Sequence, residues 1–500
     1  MVSTHDTPTP EQAPREGRVR TYSLCGPRAQ AVELELQLTG GLMQRIIMTG
    51  LAGSALREAR DRIRGCLEHA GLSLPRRAVL ANFAPADVPK QGNGFDLPLA
   101  LGLLVLTGRV PASTLEERAV FGELALDGRL RPVRGALTLA LAARRDGRRR
   151  LLCPHDNGAE VSLVDGLVVE PVRTLTEALE VLDGGAAPEP PPARDAPSSL
   201  LDLADVRGQA GARRALELAA TGGHNLLLVG PPGTGKTMLA QRLPGLLPPL
   251  DEEQTLEVSA LHGLAAGGLA SIVRHPPFRA PHHTVSRAGL IGGGTPLSPG
   301  EVSLAHRGVL FLDEMAEFPR SLLEALRQPL EDGELRLGRA GRTTVFPARV
   351  QLVGAMNPCP CGYLGHPRRG CRCTPAQLDL YRRRLSGPLL DRFDLHVEVP
   401  VPDSEALLGD QRGEDSVRVA ARVAAAAPVR SDWPHVPPSA ALRRRLEQAI
   451  GTFALSARAV RRVLAVARTV ARLRGADEAD VTDLEEALSY RSGLAAAQAG

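Results

Sequence analysis

Asn225-Leu-Leu-Leu-Val-Gly230-Pro231-Pro232-Gly233-Thr234-Gly235-Lys236-Thr237 decides how this chain is read. The apolar run Leu226 to Val229 makes a short buried strand, and the glycine-rich run after it opens an amphipathic segment, Met238 to Leu247. Strand, glycine loop and helix in that order form a phosphate-binding loop. The glycines let backbone N–H groups turn inward as an anion nest at the helix N-terminus. Lys236 would reach the β- and γ-phosphates of ATP, and Thr237 would ligate magnesium. Lys90 and Lys236 are the only lysines; every other basic residue apart from histidine is arginine. The plain reading of that bias is GC-rich coding. Against it, Lys236 is conspicuous, because a phosphate loop needs its lysine.

The rest of such a site is sought downstream. Gly308-Val-Leu-Phe-Leu312 is a second buried strand, with Asp313-Glu314 at its C-terminal end. In open α/β sheets that edge faces the ligand crevice. Asp313 would join Thr237 in holding magnesium, and Glu314 would polarise the attacking water. A third strand, Val350 to Ala355, leads to Asn357. Its amide can sit between γ-phosphate and water; a turn-forming asparagine before Pro358 is the plainer alternative. Arg392, in Leu389-Leu-Asp-Arg-Phe-Asp394, is placed to neutralise transition-state charge on a neighbouring subunit's ATP. Arg458, in Leu455-Ser-Ala-Arg458 at the start of a helix, is the analogous candidate from the C-terminal part.

Five hundred residues imply two or three domains. A net charge of +4 is too small to identify a nucleic-acid partner. No apolar run approaches the roughly 18 residues of a membrane span. Met1 to Gly17 is polar and lacks the layout of a secretory signal, so a cytoplasmic protein without membrane contact is expected. Residues 1–20 read as a disordered tail, and 21–182 mix β-branched runs with helical patterns. Gly184 to Ser199 (GGAAPEPPPARDAPSS) marks a Pro/Ala-rich linker over 183–200. Residues 201–403 alternate apolar strands with amphipathic helices, as a parallel α/β sheet requires. A polar, Ala-rich connector, 404–436, precedes a small helical domain over 437–495. There is no internal repeat.

Cys359, Cys361, Cys371 and Cys373 fall in one loop, 359–373, as two CxC pairs. Four thiolates can complete a tetrahedral zinc shell and staple a loop that lacks a core. Reduced free thiols and a redox switch are the alternatives, and a stable disulfide pair suits the cytosol less. Cys25, Cys66 and Cys153 are isolated and read as packed. His366 reads as solvated. His282 and His283 sit in a polar loop, where they would touch substrate or carry a turn rather than hold a metal. Arginine clusters at 144–150, 368–369, 382–384 and 443–445 could contact phosphates or simply form solvated faces. Without interleaved aromatics for base stacking, any such contact would be to the backbone and sequence-independent.

Phe278-Arg-Ala-Pro-His-His-Thr284, Gly292-Gly-Gly294, Pro299-Gly-Glu-Val-Ser-Leu-Ala-His306, Leu326-Arg-Gln-Pro-Leu-Glu331, Asn357-Pro-Cys-Pro-Cys-Gly362 and Ser386-Gly-Pro-Leu-Leu-Asp-Arg-Phe-Asp394 resemble the YifB/ComM family of magnesium-chelatase-like AAA+ ATPases. The likeness covers about residues 21–495. It implies a central AAA+ α/β domain with a helical lid, a hexameric ring with ATP sites between subunits, and sensor, arginine-finger and second-sensor roles for Asn357, Arg392 and Arg458. Characterised members promote DNA branch migration, so single-stranded or branched DNA is the implied partner. A motor remodelling a protein, chelatase-like or chaperone-like, and a nucleotide-dependent regulatory module are the alternatives. The N-terminal region resembles a Lon-protease-related domain of the ribosomal-S5-like α+β fold. Gly94 occupies its serine position and Leu137 its lysine position. A Ser-Lys mechanism needs both groups, so proteolysis is not expected. Residues 41–53, and Arg28 to Ala31, depart from the family pattern.

Overall fold

The computed structural model describes residues 14–40, 45–50, 54–90, 94–197, 200–265, 269, 271–294, 297–339, 342–402, 412–426, 439–453 and 455–498. Most of the tail, parts of the atypical 41–53 segment and most of the 404–436 connector lie outside the described residues. The chain enters regular structure at Glu16, inside the stretch expected to be a tail. Strand begins there because Val19 is buried and Arg18 and Arg20 alternate with it, the period-2 pattern of a strand with one covered face.

Five short strands build the sheet that carries the phosphate loop. In chain order they are Leu226–Val229, Phe278–Arg279, Val309–Leu312, Gln351–Met356 and Leu395–Glu398, and they lie in the order 2-3-4-1-5. All are parallel. A parallel sheet covered on both faces needs near-continuous apolar strands. Leu226, Leu227, Leu228, Val309, Leu310, Phe311 and Leu312 meet that demand with almost no exposure. Each such side chain contributes about 1.5–3 kcal/mol by burial. The first strand lies between the fourth and the fifth, so its loop opens at the C-terminal edge of the sheet flanked by strands on both sides.

Three C-terminal helices, Ala440–Phe453, Ala457–Leu473 and Val481–Gln498, share one apolar cluster with this domain. Ser456 starts the middle helix by accepting the N–H of Ala459 at 3.1 Å, as an N-cap. Val463, Val466, Ala467 and Val470 recur at helical spacing and face the Ala210–Gly222 helix side of the core. Polar ties supplement the packing: Arg214 to Glu486 at 2.8 Å and His224 to Thr469 at 2.8 Å. A helix at Ser416–Ala426 falls within the connector and is held by Arg422 to Glu217 at 2.6 Å.

The N-terminal part forms a mixed seven-stranded sheet. Its spatial order is Ile46–Thr49, Val79–Ala84, Arg28–Leu38, Glu16–Cys25, Arg118–Val120, Arg150–Pro154 and Val168–Val172. The Asp96–Leu106 helix behind it is buried at every residue, which its all-apolar circumference requires. Its one charge, Asp96, is neutralised by two hydrogen bonds from Arg62 at 3.0 Å.

The Pro/Ala-rich linker is not a loose tether. Pro190 and Pro191 pack where a side chain on Gly158 would stand, and the Glu189 carbonyl meets the His155 ring at 3.1 Å. Farther on, Ala196 N–H donates to the Ile272 carbonyl at 2.7 Å, and Ile272 N–H to Arg194 at 2.9 Å. Asp195 pairs with Arg274 at 2.9 Å. Arg134 joins the two parts again by donating to the Leu264 carbonyl and the Ser298 hydroxyl.

Candidate functional site

Gly235 precedes the Lys236–Ala240 helix in the left-handed conformation, φ +91°. The amphipathic segment expected to run to Leu247 is broken: a 3-10 turn, Leu243–Leu246, follows the short helix. Pro244 cannot continue the hydrogen-bonded helix, and Arg242 is pinned to the Asp202 carbonyl at 2.7 Å and Asp205 at 3.0 Å.

Lys236 is buried, with its ammonium donating to the Gly230 and Pro231 carbonyls at 2.7 and 2.9 Å. A third bond goes to the Asn357 amide oxygen at 3.2 Å. Among the described residues no carboxylate lies within ion-pair distance of it. Burial consequently lowers its pKa, an effect the more distant Asp313 and Glu314 only partly oppose. A buried cation held by neutral oxygens at the mouth of a glycine loop is suited to a phosphate. Thr234 braces the loop by donating to the Pro231 carbonyl at 3.0 Å.

Across the crevice, the Thr237 hydroxyl donates to Asp313 at 2.7 Å. These are hard oxygen donors of the type magnesium takes. The other Asp313 oxygen accepts the Glu314 N–H at 2.9 Å. Glu314 is one of the few non-glycine residues with positive φ, at 49°. Such a conformation costs on the order of 1–3 kcal/mol and is held by its surroundings. The Glu314 side chain is exposed, and His283 Nδ1 stands 3.8 Å from its carboxylate. His282 stacks on His283 with ring centres 4.1 Å apart. The sequence offered His283 a substrate contact or a turn and gave no sign of its approach to Glu314, which bridges two loops far apart in the chain.

Arg392 and Arg458 are not in this crevice. Arg392 is buried at the opposite, N-terminal edge of the sheet, where the Asn225 amide donates to its carbonyl at 2.9 Å. The first strand, roughly 13 Å long at about 3.3 Å per residue, separates it from its own phosphate loop. Its guanidinium donates to Glu331 at 2.6 Å, and Arg458 reaches the other oxygen of Glu331 at 3.3 Å. The two arginines therefore share one carboxylate.

The four loop cysteines converge, all sulfurs lying within 4.8 Å of one another. Cys359 to Cys361 is 3.4 Å, Cys361 to Cys371 is 3.6 Å and Cys359 to Cys371 is 3.7 Å. A disulfide needs about 2.05 Å, whereas a zinc–thiolate tetrahedron with bonds of about 2.3 Å has edges near 3.8 Å. The donor set and its spacing fit zinc. Gly362, at φ +81°, brings this loop onto the nucleotide site: a Cβ there would stand 2.8 Å from Pro232 Cδ and 3.9 Å from Asn357 Cγ. Tyr381, on the helix Pro375–Arg382 that follows the cysteines, donates to the Asn357 carbonyl at 3.1 Å.

In the N-terminal part, Leu137 lies in an apolar cluster, and Gly94 has Val133 and Phe121 for neighbours. Neither position carries a nucleophile or a base. No helix among the described residues is long and apolar enough to cross a membrane.

Family comparison agrees with this geometry. The model described as magnesium chelatase, subunit ChlI, matches residues 202–407; related ones for subunit ChlI and for its C-terminal part match 34–157 and 413–491. The YifB protein of Salmonella typhimurium is 42% identical over 496 residues, covering 95% of this chain and 96% of that one. A Mycobacterium tuberculosis protein is 44% identical over 498 residues, covering 95% and 98%. Competence protein ComM of Haemophilus influenzae is 40% identical over 499 residues, covering 95% and 97%.

Proposed function

The chain belongs to the YifB/ComM family of magnesium-chelatase-like AAA+ proteins, and from that premise we propose that it hydrolyses MgATP as a ring motor acting on DNA. The observation that carries the ATPase reading is the buried, carboxylate-free Lys236 ammonium shared with Asn357 beside the Thr237–Asp313 pair. In this reading Gly230 to Thr237 wrap the phosphates and Lys236 pairs with the β- and γ-oxygens. Thr237 and Asp313 hold magnesium, which when bound neutralises phosphate charge. Glu314 orients the attacking water and accepts its proton, while the Asn357 amide, released from Lys236, aligns that water with the γ-phosphate. Arg392 and Arg458 lie too far from their own loop, which supports their serving the ATP of a neighbouring subunit. That role implies a homo-oligomer, a hexamer by family resemblance.

The remaining parts follow the same reading. Residues 21–182 are a Lon-related, ribosomal-S5-like domain without proteolysis, given Gly94 and Leu137 at its Ser and Lys positions. Residues 437–495 are the helical lid, and Cys359, Cys361, Cys371 and Cys373 hold zinc. Branched or single-stranded DNA is the proposed substrate, bound without sequence preference, and a relative named for competence supports that choice. Steady-state ATPase with and without single-stranded and four-way-junction DNA tests it, with Glu314→Gln as the inactive control. Stimulation by DNA that vanishes in Glu314→Gln is expected. Healthy ATPase indifferent to DNA at every salt concentration would overturn the substrate and favour a protein-remodelling motor.

A further inference from the structure

Members of the arginine runs in the sequence are answered by carboxylates: Arg148 by Asp146, Arg150 by Glu170, Arg384 by Glu317 and Arg445 by Glu485. A second set of arginines, scattered in sequence, is answered at one member only. Arg45 before the edge strand Ile46–Thr49, Arg60 and Arg64 on the helix Ser54–His69, and Arg77 before the strand Val79–Ala84 line one cavity of about 260 Å³. Asp61 is the only acidic residue lining it among the described residues and is already bonded to Arg60 at 3.1 Å. Among the described residues Arg45, Arg64 and Arg77 form no ion pair, and Arg77 gives a single N–H to the Thr39 carbonyl at 3.1 Å.

Arg60 and Arg64 stand four residues apart on one helical face, where like charges disfavour the helix. Three separate elements thus bring four guanidinium groups together with Asp61 alone, already bonded to Arg60, to offset them. An anion removes that repulsion, and the planar guanidinium fork matches phosphate oxygens in pairs. The cavity lies beside the free edge of the seven-stranded sheet, and Leu74 gives it an apolar wall against which a sugar can rest. We infer that this arginine-lined cavity of the N-terminal domain is a nucleic-acid contact, gripping the phosphodiester backbone of single-stranded DNA. The inference rests on the DNA-remodelling reading above and adds to it a site remote in sequence from the ATPase.

Fluorescence anisotropy of a labelled single-stranded oligonucleotide with the full chain, across a salt series, tests it. In Arg60→Ala/Arg64→Ala the affinity should fall about tenfold or more. The slope of log K against log salt should become shallower by about 1.4, roughly 0.7 per lost phosphate contact. Arg45→Ala/Arg77→Ala, on other elements, should do the same, and Arg60→Lys/Arg64→Lys should recover the slope. ATPase without DNA and the circular dichroism spectrum should match wild type. If wild type binds and both alanine pairs bind equally well with the same slope, the inference fails and the DNA reading stands. If wild type binds no DNA at any salt concentration, the DNA reading fails and takes the inference with it.

Discussion

Gly362 offers a direct test of whether the cysteine loop and the ATPase site work as one unit. A Cβ at this position would stand 2.8 Å from Pro232 Cδ and 3.3 Å from Pro232 Cγ. Carbons rest at about 3.5–4.0 Å, so Gly362→Ala must push the phosphate loop and the cysteine loop apart by roughly 0.7 Å. Pro232 cannot swing aside, because its ring is part of the backbone. An alanine at φ +81° also carries a left-handed backbone penalty of about 1–2 kcal/mol. Gly365 separates the two effects: it has φ +76°, yet an added Cβ meets nothing within 4 Å. Both alanine variants should lose stability in thermal melts through the shared backbone penalty, Gly362→Ala the more because of its added clash. Only Gly362→Ala should lose ATPase, by about tenfold or more in kcat/KM, since a displacement of about 1 Å at a catalytic site can cost roughly a hundredfold. Equal activity in Gly362→Ala and Gly365→Ala would refute the coupling.

Four further outcomes are expected. Lys236→Met removes a buried, carboxylate-free cation, so the protein without nucleotide should melt no lower than wild type while the ATP-induced rise in Tm disappears; a normal ATP shift would refute the assignment. His283→Ala should lower kcat about fivefold with little change in KM for ATP, because an exposed pair such as His283–Glu314 is worth up to about 1 kcal/mol; an unchanged kcat would leave His283 without a role there. Metal analysis should find about one zinc per chain, lost in Cys361→Ser/Cys371→Ser, and a metal-free wild type purified under reducing conditions would favour free thiols. Burial first, and then the Arg491 guanidinium, lowers the His396 pKa to about 4. Because the unfolded chain takes up the proton near pH 6.5, its contribution is present above that pH. As pH falls from 6.5 toward 4, roughly 3 kcal/mol should be lost. Denaturant melts of His396→Leu should show that segment of the pH profile flattened, and an unaltered profile would be evidence against it.

Three of the five strands of this sheet were legible, because Leu226–Val229, Val309–Leu312 and Gln351–Met356 are apolar runs bounded by glycine or by a polar edge residue, whereas Phe278–Arg279 and Leu395–Glu398 are too short or too polar to announce themselves. Lys236, Thr237, Asp313 and Asn357 could be proposed together for the same reason: each sits at a strand end whose position the run announces. Contacts across the fold had no such signature. Glu314 with His283, Gly362 with Pro232, and Glu331 between Arg392 and Arg458 join residues from separate loops, and no spacing rule connects them. The same holds for the meeting of Arg45 and Arg77 with the helical pair Arg60 and Arg64, while the conspicuous arginine runs proved partly neutralised. Helix length at the phosphate loop was overestimated because apolar periodicity ran on past Leu239, whereas Pro244 and the tethered Arg242 force a tighter turn.

Pro190 and Pro191 on one side of the linker, and the Asp195–Ile272 stitching on the other, leave no slack between the two halves of the chain. A slack tether would let the N-terminal part drift while the motor cycles. In the motor proposed above, a taut one would make it ballast that moves with every stroke. Rotation of the segment around Ile272 and Arg274 would then be expected to pull on Gly158 and His155, on the far side of the prolines. Lengthening the chain between Pro192 and Arg194 with a few glycines would cut that transmission while leaving the phosphate loop untouched.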